Sequence, residues 1–122
     1  MRSIKFRGKA RETKIWVYGS LLANTIGVPL IRDADNCYWY VIPDTVGEFT
    51  GAEDSDGNEI YEGDYLKIPI VSKKKQFLVT FDNGAFILPG SGEYLRFFAS
   101  NKIDRYIVGN KYDSKPEEQY DS

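Results

Sequence analysis

The 122-residue chain contains no histidine, one cysteine and one methionine. The shortages of histidine and cysteine each remove a class of chemistry. Without histidine there is no Ser-His-Asp triad, no imidazole to activate a thiol, and no nitrogen ligand for a zinc site. The single thiol, Cys37, closes no internal disulfide, so the fold is expected not to depend on an oxidising compartment. It lies among strand-forming aromatics in Asn36-Cys37-Tyr38-Trp39-Tyr40 and reads as a small buried apolar side chain. Long apolar runs are missing too: no segment approaches the ~18–20 residues that span a bilayer. Residues 1–14 are basic, but no apolar stretch follows them that would make a secretory signal. The expectation is a cytoplasmic protein with no membrane partner. A phosphate-cradling glycine loop is also lacking, since Gly90-Ser91-Gly92 has no third glycine.

Aromatic side chains are plentiful instead: nine Tyr, seven Phe and two Trp. They favour strands, and most are expected in the core. Period-two alternation in Ile4-Lys5-Phe6-Arg7-Gly8-Lys9 predicts a strand with Ile4 and Phe6 on one face and the cations on the other. Lys14 to Ser20 reads as its hairpin partner, and residues 28–32 and 37–42 as a second antiparallel pair turned by Asp33-Ala34-Asp35-Asn36. Pro43 breaks the run, and Asp44 is placed to cap one helical turn. Val46 to Thr50 alternates again. Asp56-Gly57, Glu62-Gly63-Asp64 and Asp82-Asn83-Gly84 mark tight turns, the last inside the clearest hairpin, residues 76–88. Residues 92–98 fit a short helix or an irregular strand equally well, and Tyr106 to Tyr112 reads as a closing strand.

The fold class that follows is all-β, mainly antiparallel, with little helix. Residues 1–113 are expected to form one β domain: N-terminal strands to residue 50, then a barrel-like part over 51–113 that suits an SH3-like barrel. Residues 114–122 read as a flexible tail.

The acidic stretch Asp54-Ser55-Asp56-Gly57-Asn58-Glu59 invites a calcium reading, but its Gly falls at position four and Tyr65 at position twelve, so no EF-hand pattern results. A solvated acidic turn fits better. No cofactor, metal site or catalytic set is assembled by the sequence, and a non-enzymatic protein is expected. Charge is the segregated feature. The first 14 residues carry six basic side chains and one acidic one, whereas Asp33 to Asp64 carries ten acidic residues and no basic one, within a net charge of −2. The two segments could meet within or between subunits. Alternatively, Lys5, Arg7, Lys9 and Arg11, with the aromatic Trp16, could bind nucleic acid. The charges could also simply block unwanted pairing at an edge strand. Lys73-Lys74-Lys75 reads as a solvated loop tip.

Several of these stretches together resemble the YopX family of phage and prophage proteins: Ile4 to Lys9, Trp16 to Ser20, Pro43 to Gly51, Asp56 to Asp64, Phe81-Asp82-Asn83-Gly84 and Val108-Gly109-Asn110. Phe81 stands where Trp is commoner and Lys111 where apolar residues are. The resemblance implies a β-rich fold, a phage or prophage origin in a bacterial host cell, and a homo-oligomer. It implies no reaction. The expected function is an accessory protein that oligomerises and binds another macromolecule, a protein partner first; the alternative is a nucleic-acid-binding β module using the basic N-terminal strand.

Overall fold

A computed structural model describes residues 4–22 and 27–113; the tail expected over 114–122 lies outside them. The chain packs as two compact units that divide between Gly51 and Ala52.

In the first unit, β1 (Phe6–Lys9) pairs antiparallel with β2 (Trp16–Leu22), which pairs with β3 (Leu30–Arg32), which pairs with β4 (Tyr38–Tyr40). β5 (Gly47–Glu53) lies on the other side of β1, so the strand order is β4-β3-β2-β1-β5. β2 changes partner midway: residues up to Gly19 face β1 and those from Ser20 face β3. Gly19 is required there, because a Cβ would lie 2.0 Å from the Arg32 carbonyl oxygen. The chain after β4 returns to the end of β1 through an Ala10–Val41 bridge. Val41 packs so closely on Gly8 that a Cβ there would sit 3.1 Å from it. Ala10, Ile31, Val41 and Phe49 are the buried apolar residues of this unit. Thr45 ties the bend together: its hydroxyl accepts from the Lys9 amide (2.9 Å) and donates to the Ile42 carbonyl.

The second unit holds the larger core: Ile60, Leu66, Ile68, Phe77, Val79, Leu88, Leu95 and Phe98. β6 (Glu59–Tyr61) follows the end of β5 through a hairpin. β7 (Asp64–Lys67) sits between β8 (Phe77–Leu78) and β11 (Tyr106–Asn110), and β9 (Thr80–Asp82) pairs with β10 (Ala85–Ile87). The one α-helix among the described residues, α1, spans Leu95–Ser100 and buries Leu95 and Phe98. It settles the ambiguity over residues 92–98. The short β9–β10 turn is Asn83-Gly84 with φ of 51° and 81°, the doubly positive pair a two-residue hairpin needs.

The all-β expectation holds, with three corrections. The SH3-like barrel does not close. β8 and β9 are separated at Val79, whose amide and carbonyl bond Asp64 and Gly63 rather than a continuing ladder. Beyond it β9 pairs with β10, and β10 meets only a single bridge, Ile87–Tyr94, before α1 intervenes. Asp44 is not a cap: it lies inside a 3₁₀ turn, Pro43–Thr45, preceded by Ile42 with no side-chain cap. Cys37 is exposed rather than buried, since it ends the β3–β4 turn, where its amide donates to Asp33 Oδ1 (3.0 Å).

Candidate binding site

The alternation read in β1 is real, but its basic face is roofed by rings. By register, Lys9 stands opposite Trp16 and Arg7 opposite Tyr18. The Arg7 guanidinium lies 4.5 Å from the Trp16 ring centroid and the Lys9 ammonium 5.5 Å from it; Lys5 lies 5.3 Å from the Phe49 ring. Arg7 is only 6% exposed. Cations held over aromatic faces are stabilised by the ring quadrupole, and their stems cover apolar surface. Of the five residues singled out in the sequence, Arg7 and Lys9 therefore stack on the half-buried Trp16 and Lys5 on Phe49. Arg11 alone is fully on the surface.

Arg11 leads to the site. Its amide donates to the Tyr40 carbonyl (2.9 Å), which lays the β1–β2 loop alongside β4. Between them opens a cleft of about 550 Å³ lined by Ala10, Arg11, Glu12, Thr13, Tyr38, Trp39 and Tyr40. The loop is held by the Ala10 amide donating to the Ile15 carbonyl, the Lys14 amide to the Ala10 carbonyl and the Ile15 amide to the Thr13 hydroxyl oxygen. The opposite wall is fixed from below. The Trp39 indole N–H donates to Asp33 Oδ2 (2.8 Å), while Asp33 Oδ1 accepts from the Asp35 and Cys37 amides. The indole hydrogen bond foremost, then these amides, holds the Asp33 carboxyl below its ordinary value. Tyr38 and Tyr40 share one face of β4; Tyr38 is 58% exposed and Tyr40 49%. Arg32, exposed, is the cross-strand partner of Tyr38.

The sequence reading missed Tyr38, Tyr40 and Arg32 by assigning most aromatics to the core. The signal was present in the period-two Tyr-Trp-Tyr of β4, but which face looks inward depends on Ile31 being the fully buried centre of β3.

The acidic stretch is an exposed turn over residues 55–58, as expected, apart from its first residue. Asp54 is 5% exposed, not a solvated turn residue. Its Oδ1 accepts from the Asp56 and Asn58 amides and its Oδ2 from the Ile107 amide (3.1 Å). Burial is the largest single influence and pushes this carboxyl up, but those three amides and the Asn58 side chain outweigh it and hold it below the usual range. Asp64, also buried, accepts from the Tyr61 amide (2.8 Å). Arg105, not singled out in the sequence, clamps the same region through the carbonyls of Glu53 and Ile103.

Residues 5–117 match the family described as YopX protein. The chain belongs to the YopX family. The family description names no activity, and no curated protein matches this YopX chain. Among the described residues, no group of three or more His, Cys, Asp or Glu side chains is placed to hold a metal ion, and no helix is long and apolar enough to cross a membrane. Another cavity of this YopX protein, about 370 Å³ along Ile87 to Tyr94, carries one carboxylate, Glu93.

Proposed function

We propose that this YopX protein acts by binding rather than catalysis, as a self-associating accessory protein of phage or prophage origin in the cytoplasm of a bacterial host. The cleft of the first unit is its contact surface for another macromolecule. The observation that carries this reading is the composition of the cleft: Tyr38, Tyr40 and Arg11 line one depression, with Trp39 anchored behind the tyrosines through Asp33. Tyr, Trp and Arg are the side chains that dominate binding hot spots, because they bring large rigid contact area or forked hydrogen bonding at low entropic cost. Self-association draws support from the separation of the basic residues 1–14 from the acidic residues 33–64, an arrangement that lets copies match patches of opposite sign.

Light scattering across protein concentration and ionic strength tests the assembly: a concentration-dependent mass is expected, and a monomer under every condition refutes it. Replacing Tyr38 and Tyr40 together by Ala tests the surface, with loss of partner binding expected at unchanged circular dichroism.

A further inference from the structure

We propose that the two tyrosines of β4 form a stacking platform for successive bases of a single-stranded polynucleotide, with Arg32 and Arg11 taking its phosphates. The proposal rests on the binding reading above and names the class of partner.

Spacing is the first argument. Tyr38 and Tyr40 are two residues apart on one strand and share a face, so their side chains emerge about 6.6 Å apart. A stacked nucleic-acid strand rises ~3.4 Å per nucleotide; one stretched to admit a ring between bases roughly doubles that step. Two rings at this separation therefore each take one unstacked base. Charge is the second argument. Arg32 pairs directly with Tyr38 across β3–β4, and Arg11 is held beside Tyr40 by its own amide. A cation thus stands at each end of the ring pair. The strands β1 to β4 contain Arg7, Lys9 and Arg32 and not one carboxylate. Three carboxylates lie close by. Asp33 is engaged with Trp39 and the turn amides, while Asp35, exposed in the same turn, and Glu12, which lines the cleft, oppose a polyanion. Rigidity is the third: Trp39, anchored through its indole N–H, fixes the backbone between the two tyrosines.

Base stacking on aromatic rings tolerates any sequence, and phosphate contacts impose salt dependence. The experiment is fluorescence anisotropy of the full chain with labelled oligothymidylate and oligouridylate of about 12 nucleotides, at ~50 mM salt and above. Saturable binding is expected, with a log–log salt slope near −1.4 for two phosphates at ~0.7 each. Tyr38→Ala and Tyr40→Ala are each expected to weaken binding roughly tenfold with the slope unchanged. Tyr38→Phe and Tyr40→Phe, which keep the rings and the packing, should bind as the wild type. Arg32→Gln should flatten the slope by about 0.7, and Glu12→Gln should tighten binding.

No binding at the lowest salt overturns the proposal. So does binding that heparin matches and the tyrosine variants leave untouched, which is attraction of a polyanion only. If Tyr38→Ala abolishes self-association in light scattering while no oligonucleotide binds, the face is a protein interface: the polynucleotide proposal is wrong and the binding reading stands. Loss of neither property on substitution overturns both.

Discussion

Gly63 shows how a single position is constrained twice. Its φ is +96°, and a Cβ would lie 2.7 Å from the Tyr112 ring. Gly63→Ala must both strain the backbone and move a ring, so it is expected to destabilise by roughly 1–3 kcal/mol, read as a lower urea midpoint at unchanged slope. The turn at Glu62-Gly63-Asp64 was legible in the sequence; the ring lying over it was not, because Tyr112 is far along the chain. Lys14 is the converse. It occupies a left-handed conformation with φ of 63° in the β1–β2 loop, a region that costs an L-residue ~1–2 kcal/mol. Lys14→Gly is expected to raise the unfolding free energy by about 0.5–1 kcal/mol, measured by the same titration. Asp54 links residue chemistry to pH. Its carboxyl titrates lower in the folded state than in the unfolded chain, so the stabilisation is complete above the unfolded value of ~3.9 and lost as pH falls through the folded one. Asp54→Ala strips the acceptor from three amides and is expected to cost about 2–3 kcal/mol at neutral pH. Asp54→Asn should show a smaller drop in urea midpoint between neutral pH and pH ~3 than the wild type does.

Among the elements, those defined by local turn chemistry were readable and those defined by distant partners were not. The β9–β10 hairpin follows from Asn83-Gly84, two residues suited to positive φ. The β3–β4 hairpin follows from Asp33, whose side chain bonds the turn amides. The break at Val79 had no local signal: Phe77 to Phe81 is uninterrupted strand-forming sequence. It arises because Val79 bonds back to Gly63 and Asp64. Helix α1 is similar. Tyr94, at its N-cap, has the extended backbone of a cap (φ −76°, ψ 156°) but no side-chain cap bond. Tyr94→Asp supplies the missing acceptor and a negative charge at the helix start. It is expected to stabilise by about 0.5–1 kcal/mol, checked by thermal and urea unfolding.

Across the whole molecule, apolar burial is uneven. The second unit assembles eight buried core residues into one cluster, whereas the first buries Ala10, Ile31, Val41 and Phe49. Amide exchange should follow: the slowest protons are expected at Ile60, Leu66, Phe77 and Val79, with β3 and β4 exchanging faster. Equal protection in β3 and β4 would contradict that ordering. The same unevenness bears on the candidate site, since short strands with little beneath them leave Tyr38 and Tyr40 in solvent. By itself the sequence determined the β class, the positions of the tight turns, the family, and the absence of histidine chemistry, because composition and turn preference are local properties. Only the tertiary structure decided which alternating face is covered. It set Arg7 and Lys9 onto Trp16 and turned Arg32, Tyr38 and Tyr40 outward. Period two assigns residues to faces but does not say which face the rest of the chain will pack against.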